Sequence, residues 1–145
     1  MAILTSIIAA EEDEVESIGE SLDPTGEWSG ITLRDLTIPR IVTLHCLLTG
    51  DLYNDAFDRY DPIYISPAEG ALVLRIADEA AARLAACDED ALDAITAELL
   101  ATEEYELAGW DDDDVATMVM SLANLARLAE SQGQVLFAWL HPLRT

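Results

Sequence analysis

The chain has 145 residues, of which 29 are Asp or Glu and 7 are Arg, with no Lys, giving a formal charge of −22. Such a field repels nucleic acid and acidic membrane surfaces and speeds docking onto a basic surface, so both are excluded as partners and a basic protein is favoured. Hydrophobic residues make up 51%, more than a disordered acidic chain holds, and the length fits one domain, 1–145.

Ile3, Leu4, Ile7 and Ile8 form a β-prone run that reads as a buried strand, and Glu11 to Leu22 as a helix with an acidic first turn, stopped by Asp23-Pro24-Thr25-Gly26. The opening apolar stretch has no basic start and runs into Glu11–Glu14, unlike a signal peptide. No run reaches the ~18 apolar residues of a membrane span, so a cytoplasmic location is expected. Trp28 to Leu36 reads as irregular. Thr37 caps a helix with Pro39 in its first turn, its apolar face Ile41, Leu44, Leu47 and Leu48 ending at Gly50.

Asp51 to Asp61 reads as a loop in which Tyr53, Phe57 and Tyr60 alternate with acids, followed by a short extended piece at Ile63–Ile65. Ser66-Pro67-Ala68-Glu69 has the pattern of a capping box and predicts a long helix over Pro67–Ala86. Asp88 caps a helix with Leu92, Ile95, Leu99 and Leu100 inward, and Glu103 to Trp110 is a connector. Asp111 caps the last long helix, whose residues Val115, Met118, Val119, Leu122 and Leu125 keep the 3.6-residue period up to Gly133. Gln134 to Leu140, with Val135, Leu136, Phe137 and Trp139, reads as a closing strand that could pair with the first. The expectation is an α+β domain of about five helices, with a small sheet joining the N- and C-terminal strands.

The segment Leu44-His45-Cys46-Leu47-Leu48-Thr49-Gly50 resembles the "LH-x-LLTG" helix end of the bacterial YfbM-like family, and Tyr64-Ile65-Ser66-Pro67 is similar to that family's step into a long helix. The resemblance implies a strand–helix opening and a long helix followed by an apolar strand at the end. It brings no established activity or catalytic residue, and it implies a context in which small acidic domains stand beside toxin genes as immunity proteins.

Chemistry for catalysis is sparse. His45 and His141 are the only imidazoles; His45 reads as a core histidine bonded to a backbone carbonyl, and His141, before Pro142, as a surface residue. No HExxH, GxSxG or Gly-rich phosphate loop occurs. Asp111–Asp114 fails as a calcium loop because the positions that need Gly and Glu hold Ala116 and Leu122. Cys46 and Cys87 lack CxxC spacing and read as buried free thiols. No enzyme, metal or cofactor is therefore expected.

Glu103, Glu104, Tyr105, Glu106 and Trp110, followed by Asp111, Asp112, Asp113 and Asp114, set aromatic anchors among carboxylates, as an interface with an Arg-rich surface would. Tyr53, Phe57 and Tyr60 are second-choice anchors. These features point to a cytoplasmic immunity protein, an antitoxin that occludes a basic bacterial toxin domain; the alternative is a housekeeping YfbM-like binding module with no link to a toxin.

Overall fold

Strand β1 (Leu4–Ala10) and strand β5 (Val135–His141) pair antiparallel at the centre of the sheet, from Leu4 opposite His141 to Ala10 opposite Val135. They belong to a computed structural model that describes residues 3–68 and 70–142. The fold is α+β, with a five-stranded antiparallel sheet of order β2-β1-β5-β4-β3 and eight helices among the described residues.

Both faces of the central strands are covered, which is why β1 and β5 read as nearly continuous apolar runs. One face carries Ile7, Ala9, Leu74, Leu136, Ala138 and Leu140 and packs beneath a helical layer. The opposite face carries Ile8, Val73, Phe137 and Trp139 and packs against Val15, Ile18 and Trp28 from the segment that follows β1. That segment holds a 3-10 turn (Glu12–Glu14) closed by a Glu11–Glu14 capping box, then α1 (Val15–Glu20) and the one-turn α2 (Pro24–Glu27). Its helical pieces are shorter and more broken than the single helix expected over 11–22.

Helix α3 (Ile38–Thr49) begins after Thr37 and ends at Gly50, whose φ of 81° turns the chain left-handed. Helix α6 (Glu89–Leu100) starts where Asp88 accepts the Ala91 N–H at 2.8 Å. Helix α8 (Asp112–Gln132) starts at a capping box in which Asp111 accepts from the Asp114 N–H at 2.8 Å and Asp114 accepts in return at 3.4 Å. Gly133, at φ 67°, closes α8 and feeds β5.

Several further expectations are corrected. Trp28–Leu36 is not irregular but contains strand β2 (Ser29–Arg34), paired along its whole length with β1. The helix expected over 67–86 divides into a hairpin and a shorter helix: β3 (Tyr64–Ile65), a turn, β4 (Leu72–Arg75), then α5 (Asp78–Ala86). Ser66 donates its N–H to Ala71 and accepts from Gly70, both at 2.9 Å, and Gly70 has φ 75°. The third member of the expected capping box, Glu69, lies outside the described residues. Val73 opposite Trp139 and Leu74 opposite Ala138 show what outweighed the local helix signal: a strand here fills the place beside β5 on both faces. Finally, Asp51–Asp61 contains α4 (Tyr53–Asp58), and the connector contains α7 (Glu103–Ala108), which Thr102 caps.

His141 is buried, not superficial, because β5 runs on to it and its ring lies 5.5 Å from that of Trp139 on the same face. Cys46 and Cys87 are free and half-buried. No described helix is long and apolar enough to cross a membrane.

Gly30 fixes how closely β2 lies on β1. A Cβ there would sit 2.3 Å from the Ile7 carbonyl oxygen and 2.6 Å from Ile8 Cγ2. Because the first obstacle is backbone, Gly30→Ala should force the strands apart and destabilise the fold by about 1–3 kcal/mol, read as a lower urea midpoint; an unchanged midpoint would mean that β2 rides more loosely than described.

Candidate functional site

Two groups of residues carry candidate chemistry, one interior and one on the surface. The interior group grows from the end of α3. Thr49 donates its hydroxyl to the His45 carbonyl at 2.9 Å, and Gly50 reverses the chain so that Asp51 folds back onto His45. The Asp51 Oδ2 lies 2.7 Å from His45 Nε2. Helix α4 then returns Tyr60 to the other side of the ring, with its hydroxyl 2.9 Å from Nδ1.

The Tyr60 oxygen also accepts the Ala77 N–H at 3.2 Å. Its own proton is therefore directed to Nδ1, which makes Nδ1 the acceptor and places the ring proton on Nε2, donating to Asp51. The chain of donors runs from Ala77 through Tyr60 and His45 to a carboxylate that Arg59 also holds at 3.2 Å. His45 is 1% exposed and Tyr60 2%. Burial pushes the Tyr60 hydroxyl up to about 12, and the bond from His45 holds the Asp51 carboxyl below its ordinary value of 3.8.

His45 is a core histidine as expected, but its partners are Asp51 and Tyr60 rather than a backbone carbonyl. A cavity of about 20 Å³ adjoins the pair, lined otherwise by apolar side chains such as Leu44, Leu48 and Ile76. Both ring nitrogens are hydrogen-bonded and the ring is buried, so the group clasps α3, α4 and the approach to α5. Among the described residues no group of three or more His, Cys, Asp and Glu is placed to hold a metal ion.

The surface group is the acidic one. Asp111–Asp114 are all exposed, as are Glu103 and Glu106, while Glu104 and Trp110 are half-buried. The aromatic anchors divide. Tyr105 is 1% exposed and donates its hydroxyl to the Arg40 carbonyl at 3.0 Å, and Tyr60 belongs to the histidine clasp. Both are core residues, and their rings are not contact surfaces. Trp110 meets the Tyr105 ring edge-on at 5.7 Å and opens onto a groove of about 490 Å³ between β2 and the first half of α8. Asp113 and Asp114 line the same groove.

Tyr53 and Phe57 stand elsewhere, on the outer side of α4, 38% and 41% exposed with ring centroids 6.0 Å apart and Leu52 beside them in the chain. Burial, and next the Glu104 charge, push the Tyr53 hydroxyl above its ordinary value, so acid and aromatic meet on this side too. Ile31, Leu33 and Arg34 of β2 also line the groove and were missed in the sequence. Their signal was the alternation Ile31-Thr32-Leu33-Arg34 after Gly30, a period of two across only a few residues.

Compared with protein-family models, with curated proteins and with solved structures, this chain matches none. At Tyr64-Ile65-Ser66-Pro67, where the YfbM-like layout steps into a long helix, this chain makes a hairpin turn.

Two measurements test the clasp. Tyr60→Phe leaves the Ala77 N–H and His45 Nδ1 without their partner and should cost about 1–3 kcal/mol in urea unfolding. Asp51 has a depressed pKa in the folded chain, so the stability it adds is complete above the ordinary carboxylate range and is lost as pH falls through the lower folded value. The melting temperature of Asp51→Asn should lie below that of the wild type near neutrality, and the two should converge only as pH falls below the lowered folded value. A gap that persists at the most acid pH would rule out ionised Asp51 as the stabilising species.

Proposed function

We propose that this protein is an immunity protein, an antitoxin of the bacterial cytoplasm that binds a basic toxin domain and occludes its working surface. One observation carries the reading. Trp110, an aromatic of the kind that dominates binding energy, opens onto a groove beside Asp113 and Asp114, with Asp111, Asp112, Glu103 and Glu106 exposed nearby in the chain. A cationic cleft that normally holds phosphate or nucleotide would meet these carboxylates as it meets its substrate's charge. The sealed state of His45 favours binding over catalysis as the work of this fold.

Co-expression with the product of the neighbouring gene is the direct test. That product should be lethal alone and harmless with this protein present. If it is harmless alone, or stays lethal and unbound, the immunity reading is wrong.

The binding kinetics should separate charge from packing. Association should be fast at low ionic strength and slow markedly with salt, while dissociation changes less. Asp113→Lys should mainly slow association. Trp110→Ala should hasten dissociation by about tenfold or more, the equivalent of ~1.4 kcal/mol. Tyr105→Ala, by contrast, should act on stability and leave no folded protein to measure at wild-type yield, because its ring is interior.

Nucleic acid should not bind even at low salt. Arg59 and Arg75 are in ion pairs, and Arg40 and Arg127 donate to carbonyls, which leaves no assembled basic stripe among these four. A sequence-independent electrophoretic shift would contradict this.

A further inference from the structure

We propose that the outer edge of β2 takes up an extended, arginine- or lysine-bearing segment of the basic partner as an added strand of the sheet. The proposal rests on the reading that the partner is a basic protein and specifies how it is held. β2 ends the sheet, with β1 as its strand partner. Its six residues pair with β1 in unbroken register from Arg34 opposite Leu4 to Ser29 opposite Ala9. An edge strand presents a row of backbone N–H and C=O groups on its outer side, and proteins usually blunt such an edge with proline, lysine, a bulge or a cover. Ser29–Arg34 contains no proline or lysine, its register with β1 shows no bulge, and the groove of about 490 Å³ opens along Ile31–Arg34.

Charge selects the occupant. A second copy of this chain brings another −22 and is repelled. A segment with Arg or Lys at alternate positions fits the groove's carboxylates and its tryptophan, with Arg34 the one cation in the lining. Side chains on its helix-facing side would lay their apolar stems over Ile31 and Leu33 and carry their charged ends to Asp113 and Asp114. A guanidinium there would also reach the face of Trp110. Main-chain bonds to β2 would supply affinity and the alternate basic side chains specificity, as in other strand additions.

The test uses the whole protein and a capped nine-residue peptide alternating Arg and Val, against a counterpart of identical charge N-methylated throughout, at about physiological salt. The unmethylated peptide should bind at least tenfold more tightly. It should slow hydrogen exchange at alternate amides of residues 29–34 by tenfold or more, and it should weaken at least tenfold against Asp113→Lys or Trp110→Ala. Equal binding of the two peptides, protection confined to other surfaces, or no binding would each overturn the strand addition. So would a dimer of this chain at the same concentration whose β2 amides are already protected. The co-expression outcome is independent: protection from the toxin with no strand addition leaves the immunity reading standing, and strand addition without protection removes only the toxin.

Discussion

The antiparallel pairing of β1 with β5 is the constraint on which the rest of the structure depends. It joins residues near the two ends of the described chain, so the closure entropy of nearly the whole chain is set against one seven-pair ladder and the apolar surface it buries. Everything else attaches to this pair. β2 lies on the free side of β1 and β4 on the free side of β5, while α8 crosses the helical face and the segment after β1 seals the other. Loss of either central strand therefore removes the platform for both layers and for the groove at the β2 edge.

Acidic residues are compatible with this core because the fold places many of them where negative charge is locally favourable. Asp88 caps α6, Asp111 and Asp114 close the capping box of α8, and Glu11 and Glu14 close that of the 3-10 turn. Asp51, a carboxylate drawn against the buried His45, is held by His45 and Arg59. The segment from Leu44 to Asp51 thus has a structural explanation: Leu44 and Leu48 reach the core, His45 and Asp51 lock the chain reversal, and Gly50 permits it.

What was legible in the sequence follows from how far each signal reaches. The caps and periodicity of α3, α6 and α8 are local, and the apolar run at each end of the chain announced β1 and β5. β4 was hidden because Ser66-Pro67 mimics a helix start, while the evidence for a strand is its place beside Trp139 and Ala138, far along the chain. β2 was hidden because an edge strand is half-exposed on both faces and short. Of the surface group, the carboxylates were legible, since four consecutive Asp at a helix start must face water. The fate of the aromatics was not. Tyr105 and Trp110 flank the same turn, yet a hydrogen bond to the Arg40 carbonyl draws Tyr105 inward and leaves Trp110 at the rim.

The arginines have a consequence of a different kind. Arg40 donates to the carbonyls of Asp35 and Glu104, and Arg127 to those of Ala85 and Cys87, so these scarce cations tie backbone to backbone rather than shielding carboxylates. The folded chain consequently confines its negative charge at higher density than the expanded chain does, and it carries a self-repulsion that the unfolded chain escapes. Small cations in the surrounding solution are then part of what keeps the free protein folded. A basic partner that bound only the folded form would take over that role and shift the folding equilibrium by mass action, so such a complex would be a more durable object than the protein entering it.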